Sequence, residues 1–95
     1  MNIYDVIVRP IITEKSTVLR DEGQYVFEVN RRANKIEIKK AVESIYGVDV
    51  VRVNVMNMPA KFNRIRGRRP TKRRSEWKKA IVTIAPGQRI EELEA

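Results

Sequence analysis

The sequence contains no cysteine and no histidine among its 95 residues. Without cysteine there is no disulfide scaffold, no thiolate zinc site and no cysteine nucleophile. Without histidine the chain lacks the side chain that most often acts as a general base near neutral pH and most often binds metals. Both absences argue against most classes of enzyme, and no catalytic residue is predicted.

Long apolar runs and enzyme motifs are absent too. No stretch of about 18 apolar residues is present, and the N-terminus lacks the basic segment and apolar stretch of a signal peptide. The acidic residues that could be considered as metal ligands are Asp5, Glu14, Asp21 and Glu22. None of them has the spacing of a metal-binding motif, and Gly67 is isolated from other glycines. We therefore expect an intracellular protein with no metal and no cofactor.

The chain does have enough apolar residues for a small core, and its charge is unevenly distributed along the sequence. A hydrophobic content of 42% in 95 residues is enough for the core of a single domain over residues 1–95. The net charge is +8, divided into +1 for residues 1–59, +9 for residues 60–79 and −2 for residues 80–95. A block of like charge is typical of an interaction element. The ten cations of the middle block are Lys61, Arg64, Arg66, Arg68, Arg69, Lys72, Arg73, Arg74, Lys78 and Lys79.

Capping patterns predict two helices. Thr13 is a typical N-cap for a short helix over Glu14–Arg20. Asn34 caps a longer helix over Lys35–Tyr46, and Glu37 completes a capping box with it. The apolar residues of this longer helix form one stripe, consisting of Ile38, Ala41, Val42, Ile45 and Tyr46.

Alternating apolar and polar residues predict three strands, over residues 24–30, 50–58 and 79–84. In the second of them we expect Val51, Val53 and Val55 on one face, with Arg52 and Asn54 on the other. Tyr25 and Phe27 are interpreted as core residues of the first strand. The order of elements favours an α+β fold: a small α/β sandwich in which helices pack on a mainly antiparallel sheet, with a long basic loop between the last two strands.

The basic loop is the main candidate for function. Hairpin loops usually contain two to five residues, whereas about twenty residues separate these two strands. Mutual repulsion among ten cations predicts an extended, structureless segment that a polyanion would order. Arginine is more frequent than lysine here, which favours contact with nucleic acid. A solvated or membrane-surface cationic face is the alternative, and the segment lacks the amphipathic apolar side that membrane insertion requires.

Trp77 follows the loop and has two interpretations. The alternation of the predicted strand over residues 79–84, extended back to Trp77, places it with Lys79 and Thr83 on the side opposite Ala80 and Val82. A tryptophan on that side can stack on a base or brace the loop. The alternative is a core residue at the end of the strand.

Several motifs resemble the bacterial type of the ribosomal protein twenty-three family of the large subunit (universal ribosomal protein uL-23). The step Arg9-Pro10, followed two residues later by Thr13-Glu14-Lys15, resembles the family's opening. The further matching blocks are residues 34–43, Val53-Asn54, residues 73–82 and Pro86-Gly87-Gln88. They occur in order across nearly the whole chain.

The resemblance implies a cytoplasmic structural constituent of the large ribosomal subunit that works in translation. It implies binding to 23S-type rRNA and to neighbouring large-subunit proteins near the polypeptide exit tunnel. Ile12, Thr13 and Glu14 would form a docking point for trigger factor and contribute to contact with the signal recognition particle. Besides the loop cations and Trp77, the residues implied in rRNA binding are Arg9, Lys15, Asn34, Lys35 and Lys39. Two other classes remain open: a free nucleic-acid-binding module, and a docking adaptor for proteins.

Overall fold

The computed structural model describes residues 2–63 and 71–93. Three helices and six strands occur in this part of the chain, followed by a short 3-10 turn at Glu91–Leu93. The helices are α1 (Ile3–Val6), α2 (Glu14–Asp21) and α3 (Lys35–Tyr46). The strands are β1 (Ile7–Pro10), β2 (Gln24–Val29), β3 (Val50–Met58), β4 (Lys61–Asn63), β5 (Thr71–Arg74) and β6 (Trp77–Ile84).

Four of the strands form one antiparallel sheet in the order β1-β2-β6-β3. The predicted α+β fold is confirmed, since helices pack against this sheet. Strand β6 lies at its centre because it pairs with β2 on one side and with β3 on the other. Strands β1 and β3 are the two edges in the described part of the chain.

The long helix α3 begins and ends where the capping pattern predicts. The Asn34 side chain accepts a hydrogen bond from the Glu37 amide at 2.8 Å, and the Glu37 carboxylate accepts one from the Asn34 amide at 3.2 Å. Gly47 ends the helix with φ of 66°, a left-handed conformation that glycine adopts without steric cost. The predicted stripe faces the sheet: Ile38, Ala41 and Val42 are fully buried, and Ile45 and Tyr46 pack at its margin.

The core lies between α3 and one side of the sheet. The predicted core residues Tyr25 and Phe27 are 3% and 0% exposed, respectively. The same strand contributes Val29, β3 contributes Val50, and β6 contributes Ala80, Val82 and Ile84. The C-terminal segment also enters the core, because Ile90 is 2% exposed and its amide donates to the Tyr25 hydroxyl at 3.1 Å.

Two predictions about the strands were wrong or incomplete. Strand β1 was not expected, since it has only four residues and ends at Pro10; it pairs with β2 through a bulge after Ile7. Val51 does not share the core side with Val53, because an irregularity between Val50 and Arg52 inserts one residue into β3. Side chains alternate along a strand, so the insertion exposes Val51 and buries Val50.

The basic segment is not structureless in its described portions, contrary to the prediction. β4 pairs antiparallel with β5, with Lys61 opposite Arg74 and Asn63 opposite Thr71. These two strands follow β3 and precede β6, so the hairpin formed by β3 and β6 leads into a two-stranded ribbon. Cross-strand hydrogen bonds are backbone interactions, and they form despite the like charges of the side chains. Residues 64–70 of the predicted loop lie outside the described residues.

Candidate nucleic-acid interface

The side of the sheet opposite α3 carries charged residues in one cross-strand row. Arg9 of β1 lies opposite Glu28 of β2, which lies opposite Lys79 of β6 and, beyond it, Met56 of β3. The Arg9 Nε donates to the Glu28 carboxylate at 3.0 Å. The Arg9 side chain remains 57% exposed while that of Glu28 is 19% exposed, so the pair leaves much of the guanidinium accessible from solvent.

A groove beside α2 brings three of the predicted rRNA-binding residues together. Lys15 of α2 and Trp77 and Lys79 of β6 line this groove, together with Thr13 and the apolar side chain of Val26. Trp77 is half-buried and does not belong to the core cluster, as its position in the strand predicts. We name the surface formed by Arg9, Lys15, Trp77 and Lys79 the sheet patch.

The sheet patch adjoins the cationic ribbon along the chain. Trp77 begins β6 three residues after β5 ends at Arg74. Lys61, Lys72, Arg73 and Arg74 belong to the paired strands β4 and β5. The predictions for Arg64, Arg66, Arg68 and Arg69 lie outside the described residues.

Two of the predicted site residues have structural roles in the fold. Lys78 points away from the sheet patch, and its ammonium donates a hydrogen bond to the carbonyl of Ala33 before α3. Asn34 uses its side-chain oxygen to cap α3, as described above. Their predicted contact with rRNA stays a prediction.

Lys35 and Lys39 lie apart from the sheet patch. Both are exposed on α3 and line an open groove between that helix and the beginning of β3. The amino-acid pattern does not separate these lysines from the other cations, because their separation depends on how α3 packs beside β3.

The corner formed by Ile12, Thr13 and Glu14 is exposed at the start of α2. Ile12 is 67% exposed. Thr13 caps the helix, accepting from the Ser16 amide at 3.2 Å, and its own amide donates to the Ser16 hydroxyl at 2.6 Å. Glu14 takes no part in this capping box and has no ion pair within the described residues.

The sequence reasoning missed two features that shape this surface. Glu28 holds Arg9 in place, and its pairing depends on the unexpected strand β1. The C-terminal segment reaches α2, where Arg20 donates to the Leu93 carbonyl at 2.7 Å. The only signal for the second feature was the isolated apolar pair Ile90 and Leu93 among charged residues.

Neither a metal-binding cluster nor a membrane-spanning helix is found in the described ranges. No group of three or more acidic residues is placed to hold a metal ion among residues 2–63 and 71–93. In that same part of the chain, no helix has the length and apolar character needed to cross a membrane.

Comparison with known proteins gives one consistent family. The family model described as Ribosomal protein L23 matches residues 5–92. The large ribosomal subunit protein uL23 of Herpetosiphon aurantiacus is 52% identical over 93 residues, covering 96% of this chain and 95% of that protein. Its counterpart in Thermotoga maritima is 51% identical over 99% of this chain and 92% of its own length. That of Treponema pallidum is 53% identical over 99% of this chain and 98% of its own length. The chain therefore belongs to the ribosomal protein L23 family.

Proposed function

We propose that this chain binds large-subunit rRNA of the 23S type near the polypeptide exit tunnel and offers a docking site for trigger factor there. Its family consists of large ribosomal subunit proteins, so the chain is a structural component of the cytoplasmic ribosome in translation and not an enzyme. We propose that residues 1–95 act as one ribosomal-protein domain, with rRNA and neighbouring large-subunit proteins as its partners.

The observation that carries the rRNA proposal is the concentration of charge beside the sheet patch. Residues 60–79 contain ten cations and one acidic residue. The ribbon that includes part of this segment leads directly into Trp77 and Lys79, beside Arg9 and Lys15. A sheet surface with an aromatic ring and several cations can contact bases and phosphates at the same time.

Phosphate contacts by this segment would make binding strongly dependent on salt. Each phosphate that a cation neutralises releases condensed counterions, so log K falls with log salt by about 0.7–0.9 per contact. Lys78 and Asn34, which serve the fold, would add to binding through their remaining exposed atoms. Lys35 and Lys39 would contact rRNA only if the rRNA also reaches the groove at α3.

The direct test replaces Arg68, Arg69, Arg73 and Arg74 with glutamine together. We expect a smaller salt slope in filter-binding titrations with large-subunit rRNA, and loss of incorporation into subunits, while the fold survives. The matched control replaces Arg31, Arg32, Lys40 and Arg89 with glutamine, which removes the same charge outside the segment and outside the other surfaces proposed to bind partners. The proposal would be contradicted by an unchanged salt slope in the first variant, or by an equal loss of incorporation into subunits in the two variants.

Sedimentation separates this proposal from the two other classes that the sequence left open. A structural constituent of the large subunit remains with it through a high-salt sucrose gradient. A free nucleic-acid-binding module would be released as salt weakens its phosphate contacts. A docking adaptor would remain bound after the arginines of the basic segment are replaced.

The docking proposal for trigger factor is supported by the exposed corner at α2. Thr13 fixes the helix start through its capping box, so Ile12 and Glu14 are presented on a defined backbone. Ile12 offers an apolar surface and Glu14 offers a carboxylate with no ion pair among the described residues. The same corner would contribute to contact with the signal recognition particle.

A further inference from the structure

An exposed apolar patch lies between α3 and the beginning of β3. Its central side chains are Ile36 and Val51, which are 66% and 65% exposed. Both line one open groove, which we name the α3–β3 groove; its other lining residues are Lys35, Lys39, Val50, Arg52 and Val53. The groove shares no lining residue with the groove beside α2.

The exposure of Val51 follows from a specific feature of the backbone. The irregularity between Val50 and Arg52 adds one residue to β3, and Val51 is the residue left without a partner on β6. Its side chain is therefore exposed, and it lines the same groove as Ile36. Neighbouring aliphatic side chains in solvent mark contact surfaces more often than isolated ones do.

The rim of the groove is entirely cationic. Lys35, Lys39 and Arg52 are exposed, and none of them has an ion pair within the described residues. The groove itself has no acidic lining residue, whereas a separate cavity that Val51 also borders is lined by Asp21 and Glu22. The two carboxylates of α3 bind backbone amides, since Glu37 accepts from Asn34 and Glu43 accepts from Val50 at 3.2 Å.

We infer that the α3–β3 groove docks an acidic amphipathic helix of a neighbouring protein, an inference that rests on the ribosomal role proposed above. The two aliphatic side chains would receive apolar residues from one face of that helix, and the three cations would pair with aspartate or glutamate beside them. Phosphates of RNA would satisfy the cations but would leave Ile36 and Val51 uncovered. Addition of a strand to β3 is disfavoured, because a bulge interrupts the regular edge at this end.

Site-specific photo-crosslinking in intact large subunits tests the inference. The photo-reactive residue p-benzoylphenylalanine is placed at position 36 or 51, with exposed Ser44 on the same helix as the control position. We expect crosslinks from positions 36 and 51, and not from 44, to an acidic helical segment of another large-subunit protein. Crosslinks to rRNA, crosslinks to a basic or uncharged segment, or no crosslink at all would overturn the inference.

Charge reversal then tests the cationic rim. Lys35→Glu with Lys39→Glu should lower the crosslink yield from position 51 at least about tenfold, because like charges would then face each other. Lys40→Glu, on the same helix outside the groove, should leave the yield unchanged. A glutamate at position 35 lies in the first turn of α3, where a carboxylate is favourable, and circular dichroism checks that the doubly substituted chain is folded. Equal yields in the two variants would contradict the charge complementarity, whereas failure of the wild-type chain to sediment with the subunit would contradict the proposed function.

Discussion

At the scale of single residues, chemical type alone does not separate partner binding from a role in the fold. Asn34 and Thr13 have polar side chains suited to binding, and both are used as helix caps. Lys78 belongs to the basic segment, residues 60–79, and its ammonium donates a hydrogen bond to a backbone carbonyl. Glu14 differs from them, because it is exposed beside a cap without taking part in it. This makes Glu14 the residue of the corner whose replacement should affect a partner more than the fold.

Glu14→Ala should weaken the binding of trigger factor to ribosomes while leaving incorporation into the large subunit intact. Lys15 is adjacent to Glu14 on the helix and does not face it, so the Glu14 carboxylate is open to a cation of a partner that binds this corner. The helix should lose only a few tenths of a kcal/mol from its interaction with the dipole. The measurement is trigger-factor affinity for purified ribosomes that carry each variant. Glu14→Gln keeps the shape and removes the charge; if both variants bind like wild type, the docking role is wrong for this chain.

Tyr25→Phe should destabilise the fold although it removes a single oxygen atom. The Tyr25 hydroxyl accepts a hydrogen bond from the amide of Ile90, and both residues are buried. A buried amide left without an acceptor costs about 1–3 kcal/mol. Urea denaturation should show this loss in the free energy of unfolding. Tyr4→Phe is the control, because Tyr4 is 74% exposed; equal stabilities of the two variants would mean that water replaces the hydroxyl.

At the scale of elements, sequence patterns predicted those helix bounds that depend on interactions between residues close together in the chain. The bounds of α3 follow from Asn34, Glu37 and Gly47, all of which act within a few residues of the helix ends. Strand β1 depends on pairing with β2 about twenty residues away, and its four residues carry little periodic signal. The exposure of Val51 depends on register with β6, which the alternation of valines cannot reveal. Repulsion among the cations of the basic segment predicts no regular structure there. The pairing of β4 with β5 was missed because the sequence does not indicate which backbone groups bond across the segment.

The ribbon formed by β4 and β5 should be less stable than the sheet in the free protein. A two-stranded hairpin without a third strand is marginally stable in water, and these strands are strongly cationic. In hydrogen exchange, amides of residues 61–63 and 71–74 should exchange much faster than those of residues 38–45 and 51–55. Incorporation into the large subunit should slow the ribbon amides, because phosphates would relieve the repulsion. Equal protection of ribbon and sheet in the free protein would contradict this prediction.

At the scale of the whole molecule, the C-terminal segment connects parts that are distant in the sequence. The Gln88 side chain exchanges two hydrogen bonds with Asp49 before β3, at 2.7 and 3.0 Å. Ile90 enters the core beside Tyr25, and the Leu93 carbonyl accepts from Arg20 of α2. The segment therefore spans from the beginning of β3 to the helix that carries the proposed docking corner. Its integrity should affect both the stability of the fold and the position of α2.

Truncation of the chain after Gly87 should consequently destabilise the fold and loosen α2. Replacing a buried Ile90 with alanine removes core contacts worth about 2–5 kcal/mol, and truncation should cost at least as much. Hydrogen exchange should rise in α2 more than in α3, since α2 loses its bond to Leu93 while α3 keeps its caps. Glu91→Ala, at an exposed position of the same segment, is the control and should behave like wild type. If the truncated chain unfolds at the same urea concentration as wild type, the buried isoleucine adds little to the core; if α2 and α3 loosen equally, the segment stabilises the fold without positioning α2.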